Sequence, residues 1–519
     1  MPSLTATDRH VVIDHREGHY LCFPDVCLTR SGRLLVAYNE FDQHVGQRRK
    51  LLLKSSEDLG ESWSEPWVIN ATQSHCPRLT VLSDGQIVMS DDSGPLLYWS
   101  MDHGKTWASH PNQGIGHGLL DRITEIDHET LLTTGHGHRG TQSLSKIRQA
   151  PAEQMVYLSK TRGRSWQPLT AVNHDPNLVL CEGSITRLPD GRLLCLLREN
   201  TFVYEPMYKS FSSDDGRSWS EPTPTPLIGH RPTIGILRSG KLLVTYRDVG
   251  PNRGTAAWLG DVDELDDFAV HGLDATDGGT TFTGEGMRIA TASGSDAPVR
   301  YALRPMTDPE RAQAEIEAEV RVDAADAHGC GIRMGIWWRL FPDRVEPDPE
   351  FGRPEAACSP LPPIPLPPGE FHTIRATYDA GVCTLFINGE AEASCRIDPL
   401  DGLNRAIVFG TTGHEGEIGG DHVWRRVRLR VRESRYDRDY LWTWEHDQGR
   451  PDDYIRRRVL ELKNDRFANP GDFGYSGWCQ LPDESIFCAF HHGGGGEDGY
   501  EAGRSSRVLG VRFSEADFG

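Results

Sequence analysis

Arginine and histidine gather at recurring points of this 519-residue chain, although its formal net charge is −20. Short apolar hairpins repeat along the sequence. At the starts of their first strands, or just past their second strands, stand Phe23 and Pro24, Asp42 and His44, His75 and Arg78, and His117 and Arg122. The series continues with Glu182 and Arg198, His230 and Arg231, Arg247 and Arg253, and Tyr475 and His491. So many cationic groups at equivalent points of an acidic chain imply a basic pocket inside an acidic shell. An arginine fork offers planar donors that match a carboxylate, so the ligand this set favours is an anion, a carboxylate before others. The same net charge speaks against general affinity for nucleic acid or an anionic membrane, because the long-range field repels both. His136 and His138 are spaced i, i+2, on one face of a strand, as two metal ligands would be. No third ligand stands near them, so "GHGHRG" reads as a polar loop. His491 and His492 before "GGGGEDG" read as a strand end beside a glycine loop rather than a zinc site, and neither metal nor cofactor is expected.

The elements that must hold these residues announce themselves by repetition. Six turn-plus-apolar phrases recur: "RSGRLLVAY", "SDGQIVM", "DHETLLTT", "PDGRLLCLL", "RSGKLLVTY" and "PDESIFCAF". A second phrase follows downstream: "SSEDLGESW" ending at Trp63, "SMDHGKTW" at Trp107, "SKTRGRSW" at Trp166 and "SSDDGRSW" at Trp219. Each unit thus reads as strand, hairpin turn, strand, strand and Ser-x-Asp-x-Gly-x-Ser/Thr-Trp, at a period near that of a four-stranded propeller blade. In the second phrase Ser and Asp can bond the turn's own backbone, Gly takes the positive φ, and Trp packs between blades. The phrase is structural.

Bulk composition agrees with β structure joined by many turns: 54 Gly, 33 Pro and almost no helix-period stretch. The eleven cysteines show no CxxC pairing and read as small buried hydrophobes, which fits a cytosolic chain. The first twenty residues lack the apolar core of a signal peptide, and no run of about 18 apolar residues occurs, so a soluble cytoplasmic protein is expected.

The Ser-x-Asp-x-Gly-x-Ser/Thr-Trp phrase is the Asp-box, or bacterial neuraminidase (BNR) repeat, and its copies resemble those of six-bladed sialidase-type β-propellers. Ser56/Asp58/Gly60/Trp63, Ser100/Asp102/Gly104/Trp107 and Ser212/Asp214/Gly216/Trp219 match in full, while Thr161 replaces the Asp in the third copy, the one ending at Trp166. The resemblance implies an all-β, six-bladed propeller. Between the fifth and sixth turns lie about 240 residues whose texture differs: a Pro-rich loop, "HTIRATYDAGVCTLFINGE" with an Asn388/Gly389 hairpin turn, and "DHVWRRVRLRV". This stretch is similar to a concanavalin-like, laminin-G-type jelly roll. The expected division is propeller over 1–266, inserted antiparallel sandwich over 267–432 and propeller again over 433–519, resuming at "YLWTWEHDQGRPDDYIRRRVLEL".

Sialidases use a Tyr nucleophile backed by a Glu, an Asp acid/base and three Arg that grip the sugar's carboxylate. "CEGSITRLPDGRLLCLLREN" resembles the segment supplying the Glu and second Arg, which implies Glu182 and Arg198. "YRDVGPNRGTAAWLGD" resembles the third-Arg segment and implies Arg253, with Arg247 as rival, and "GYSGWCQL" implies Tyr475 as nucleophile. A phenol with a pKa near 10 attacks only if a carboxylate draws off its proton, the role that falls to Glu182. The first blade departs from the pattern: "HYLCFPDVCLT" has Phe23 where the first Arg belongs. "YNEFDQHVGQRR" offers Asp42 or His44 as acid/base, Asp42 by analogy, with His44 and His75 otherwise substrate contacts. Arg78 or Arg231 could supply the missing charge from a neighbouring blade. The implied function is an exo-acting glycoside hydrolase of sialidase type on a terminal sialic- or uronic-acid-type sugar, its partner a carbohydrate. The alternatives are a polysaccharide lyase or other glycosidase on the same fold, and a non-catalytic carbohydrate-binding propeller in which Glu182 merely pairs with Arg198 and Tyr475 is core.

Overall fold

The computed structural model describes the chain except residues 45, 92–95, 139–151, 174–177, 201–203, 267, 275–278, 296, 349–361, 400–405, 413–416, 435–436 and 495–498. Six four-stranded antiparallel sheets form the blades of a β-propeller. Blade 1 is built by Tyr20–Leu28, Leu34–Phe41, Arg49–Ser56 and Trp67–Asn70, and blade 2 by Arg78–Val81, Ile87–Ser90, Leu96–Ser100 and Ala108–Pro111. Blade 3 follows with Thr124–Glu125, Leu131–His138, Ala152–Ser159 and Gln167–Asn173, and blade 4 with Leu180–Arg187, Leu193–Glu199, Tyr208–Ser212 and Thr223–Pro224. Blade 5 takes Gly229–Ile236, Leu242–Asp248 and Gly254–Gly260, then a fourth strand from far downstream, Val459–Asn464. Blade 6 takes Ser476–Gln480, Ile486–His492 and Arg507–Phe513, and is completed by the chain's own beginning, His10–Asp14.

The inner strands are apolar on both faces because each blade is covered on both sides by its neighbours. Six separate apolar clusters result, one at every junction: Leu35 with Leu79, Leu97 with Leu131, Leu132 with Leu193, Leu196 with Val244, Leu243 with Phe490, and Phe487 with Val36. The tryptophan phrases lock this packing from the rim. Gly216 N–H donates to Ser212 Oγ (2.8 Å), Ser218 N–H donates to Asp214 Oδ1 (2.9 Å), and Trp219 Nε1–H donates to Gly216 O (3.2 Å). Trp219 lies against the blade 3–blade 4 cluster, and Trp63, Trp107 and Trp166 lie likewise one junction apart. In the third copy Thr161 Oγ1 accepts Ser165 N–H (2.9 Å), so a hydroxyl does the work of the absent carboxylate.

Between the third and fourth strands of blade 5 the chain builds two further antiparallel sheets, of seven strands and of eight, one of the eight paired off the main order. Gln313–Ala325 alternates buried and less buried residues, and the inward residues of both sheets, among them Tyr301, Ile316, Trp338, Phe409 and Trp424, make one continuous cluster. The Asn388/Gly389 turn has positive φ at both residues, 50° and 94°, as a two-residue hairpin of this twist requires. Arg438–Glu445, expected to resume the propeller, instead pairs with Gly420–Glu433 along its whole length, and the propeller resumes at Val459. Contacts with the propeller include Thr307 Oγ1 donating to Glu205 (2.9 Å), and Tyr204 packed on Ala302, Trp337 and Val408. Eight of the ten described cysteines are buried and all ten are free. Among the described residues no helix is long and apolar enough to cross a membrane.

Candidate active site

At the axial start of each inner strand one residue adopts a left-handed backbone: Phe23 (φ 54°), Cys76 (53°), Leu119 (49°), Glu182 (47°), Arg231 (49°) and Gly474 (84°). Five of these are not glycine, so the strain is kept by the packing around them. The strand registers jump at three of the sites, Cys22/Asp25, Cys181/Ser184 and His230/Thr233, and each bulge re-aims a side chain toward the axis. Pro24, Pro77 and Pro232 follow three of the residues, which is the one trace of the pattern that the sequence carries.

Two residues further on, a second layer crosses the axis. Arg78, 2 % exposed, donates to Thr233 Oγ1 (2.6 Å) and Ser476 O (3.1 Å) and lies 3.4 Å from Asp121 and 3.9 Å from Asp25. Arg122 grips Asp25 with two nitrogens, and Asp25 also accepts the backbone N–H groups of Val26 (2.9 Å) and Leu79 (2.8 Å). Burial opposes ionisation of Asp25, but Arg122 and Arg78 hold its carboxyl below the usual carboxylate range. Arg78 was expected as a substrate contact; its position two residues past the left-handed Cys76 places it in this layer, its charge answered by two carboxylates.

The left-handed layer assembles a different group. Tyr475 Oη–H donates to Glu182 Oε1 (2.6 Å), and Arg198 Nη1 donates to Tyr475 Oη (2.8 Å) while lying 2.7 Å from Glu182 Oε1. Arg198 also bonds Asn200, and Glu182 N–H donates to His136 Nδ1 (3.3 Å). Tyr475, Glu182 and Arg198 are 6 %, 4 % and 8 % exposed. Burial alone would raise the Glu182 pKa, but Arg198, then Arg231 and His136, hold the carboxyl well below the carboxylate range. Burial and then the Glu182 charge push the Tyr475 phenol above its ordinary value, against Arg198 and Arg247. The resting state is therefore a neutral phenol donating to an ionised carboxylate.

Arg247, not Arg253, lies over the Tyr475 ring, its guanidinium carbon 4.1 Å from the centroid, and donates to Phe473 O (2.6 Å) and Gly471 O (3.1 Å). Arg231 donates to Leu119 O (3.2 Å) and Leu120 O (2.9 Å). Both guanidinium groups are buried, and among the described residues neither has a carboxylate oxygen within 4.0 Å. Arg253 reaches Ala468 O at 3.4 Å, in the company of Tyr204, Tyr500 and Asp465 rather than of Tyr475. Phe23, in the place expected of an arginine, is the hub of a ring wall: its centroid lies 5.1 Å from Tyr475, 5.0 Å from His75, 5.3 Å from His491 and 6.2 Å from His44. His75 stacks on Phe41 at 5.9 Å. Asp42 is exposed, accepts Arg48 N–H (3.3 Å) and lies 3.9 Å from the Arg48 side chain. The structure thus gathers Tyr475, Glu182, Arg198, Arg247, His75 and His44, sets Arg231 beside Glu182, and gives Asp42 and Arg253 other partners, Arg48 and the Ala468 carbonyl. Of the candidate histidine pair, the side chain of His138 lies outside the described residues. Among the described residues no three metal-ligating side chains cluster.

Residues 90–255 match the BNR repeat-like domain. The chain carries a BNR repeat. None of the curated proteins matches it. Solved structures similar to it include a Dyadobacter fermentans protein of unknown function, 19 % identical over 50 % of this chain and 84 % of the other, with a TM-score of 0.44. A Penicillium chrysogenum α-L-arabinanase complexed with arabinobiose is 14 % identical over 55 % of this chain and 93 % of the other, with a TM-score of 0.37. A Hadza microbial sialidase, Hz136, is 16 % identical over 48 % of this chain and 56 % of the other, with a TM-score of 0.38.

Proposed function

We propose that the protein is an exo-acting glycoside hydrolase that attacks a terminal sugar bearing a carboxylate. The observation that carries this reading is the 2.6 Å bond from the Tyr475 hydroxyl to an ionised Glu182, with Arg198 donating to both. As the Tyr475 oxygen bonds the anomeric carbon, Glu182 takes its proton, and the aglycone leaves; water then releases the sugar and the phenol recovers its proton. A neutral phenol approaches an anomeric centre beside a carboxylate with less repulsion than a second carboxylate would meet. Arg231 and Arg247 support the choice of an acidic sugar: two buried guanidinium groups whose hydrogen bonds, among the described residues, go to carbonyl oxygens leave positive charge for a ligand to balance. Arg198 adds a fork suited to a carboxylate.

Incubation with aryl glycosides of sialic and uronic acids, with NMR of the first-formed anomer, tests the reading. Release of the sugar with retained configuration is expected. An unsaturated product would assign the site to a lyase instead, and saturable binding of acidic sugars without turnover would leave a carbohydrate-binding propeller.

A further inference from the structure

A hydrolase also needs a group that gives the departing oxygen a proton, and the wall around Phe23 holds one already wired. Tyr20 Oη–H donates to Asp472 Oδ1 (2.9 Å), and His44 Nδ1 lies 2.7 Å from the same Tyr20 oxygen. Because the Tyr20 proton is directed to Asp472, His44 Nδ1 must carry the proton of its own bond, which leaves Nε2 for other partners. Asp472 is fixed in turn by Tyr500 Oη–H (2.6 Å) and Gly503 N–H (2.7 Å). Tyr20 and Asp472 are fully buried, whereas the His44 side chain is 36 % exposed. The slot is cut to the ring: a Cβ on Gly471 would stand 2.7 Å from His44 Cε1 and 2.8 Å from Nε2. A half-exposed imidazole oriented from behind by a buried carboxylate is the arrangement by which proteins hold a proton-transfer group in one tautomer.

We propose that His44, positioned by Tyr20 and Asp472, is the acid/base residue of the site, in place of Asp42; the proposal deepens the hydrolase reading and rests on it. In the first step the His44 imidazolium gives its Nε2 proton to the glycosidic oxygen as that oxygen's bond to the anomeric carbon breaks. The Tyr475 oxygen bonds the carbon, and its proton passes to Glu182. In the second step neutral His44 takes a proton from water, the water oxygen bonds the carbon, the bond to Tyr475 breaks, and Glu182 returns the proton to the phenol. Sugar and alcohol leave with one water consumed. The charged or titratable groups facing His44 are Tyr20 of its own blade, Arg247 of blade 5, His75 ahead of blade 2, Asp472 ahead of blade 6 and His491 of blade 6. Burial, then Arg247 and His75, lower its proton affinity below the ordinary 6.5, while Asp472 raises it. Activity should accordingly fall on the alkaline side as pH rises through a value below 6.5.

The test uses the full-length protein, aryl glycosides of one acidic sugar and leaving phenols of graded acidity. His44→Gln should lower kcat/KM about 10²- to 10⁴-fold for weakly acidic phenols. That loss should shrink steadily as the phenol becomes acidic enough to leave unprotonated, while Asp42→Asn shows no such dependence. Asp472→Asn removes the anion that favours the imidazolium, so it should move the alkaline limb of kcat/KM to lower pH; a merely structural Asp472 would change the melting temperature and leave the limb in place. This variant keeps His44 itself and so decides the matter even if His44→Gln folds poorly. Leaving-group dependence in Asp42→Asn and its absence in His44→Gln, or an unmoved limb in Asp472→Asn, overturns the assignment. Failure of the unaltered protein to release any of these sugars overturns the hydrolase reading itself.

Discussion

Two layers cross the propeller axis two residues apart along the same strands, and their charges are arranged oppositely. In the lower, Asp25 and Asp121 face Arg78 and Arg122, two charges against two, within distances at which each satisfies the others. In the upper, one carboxylate, Glu182, stands among Arg198, Arg231 and Arg247. A buried charge set that closes on itself is a brace, and removing one member leaves another unpaired. A set left with an excess is incomplete without a ligand. Arginine counts in the sequence cannot tell the two apart; the left-handed residue that sorts the side chains into layers does.

The comparison breaks first at Tyr475. Tyr475→Phe should cut turnover at least about 10³-fold while sugar affinity and melting temperature barely change, because it deletes one oxygen. Kinetics beside a thermal melt check this, and a large loss of stability instead would place Tyr475 with the brace. Arg78→Ala should do the reverse, costing roughly 3–5 kcal/mol of folding stability by removing the arginine that faces the buried Asp121 and one of the two that face Asp25; a well-folded variant with weakened sugar binding would move Arg78 to the upper layer. A further buried carboxyl sharpens the contrast. Asp248 has no cation within 4.0 Å among the described residues, and burial pushes its pKa up to about 7 although it accepts Gly250 N–H at 2.7 Å. Unfolded, it titrates near 3.8, so the folded state holds the extra proton between those values and loses stability as pH rises from about 4 toward 7. Asp248→Asn should therefore stabilise by roughly 2–4 kcal/mol at pH 8 and very little at pH 4, read by denaturant unfolding at both. The smallest effect belongs to the rim: Asp214→Ala should lower stability by about 1–2 kcal/mol through lost turn bonds, with turnover per folded molecule unchanged.

The blades were legible because hairpin turn, strand and tryptophan phrase recur with fixed chemistry, and even Thr161 for Asp keeps the turn's bonds. Tyr475, Glu182 and Arg198 could be named because each sits in a segment with its own recognisable context. The layers were not legible. Arg78 and Arg231 are both arginines at an inner-strand start, and only the backbone at Cys76 and at Arg231 itself decides which of them meets Asp25 and Asp121. Nor could Asp472 and Tyr500 be tied to His44, since they lie more than 400 residues away in the chain, on segments without periodicity. The extra strand Arg438–Glu445 was misplaced because aromatic alternation suits a sandwich edge as well as a blade.

The break in blade 5 has a consequence for how the chain comes off the ribosome. Gly254–Gly260 is buried along its whole length, yet its partner Val459–Asn464 is synthesised about two hundred residues later. Until then the nascent blade has three strands and a bare edge of unpaired backbone, the feature by which β proteins recruit wrong partners. Blade 6 waits as well, since His10–Asp14 pairs with Arg507–Phe513, made about five hundred residues later. Both closures therefore come after the sheets between Gly260 and Val459 have been made. A ring whose every blade looks alike when finished is, while being made, open in two places until those distant strands arrive.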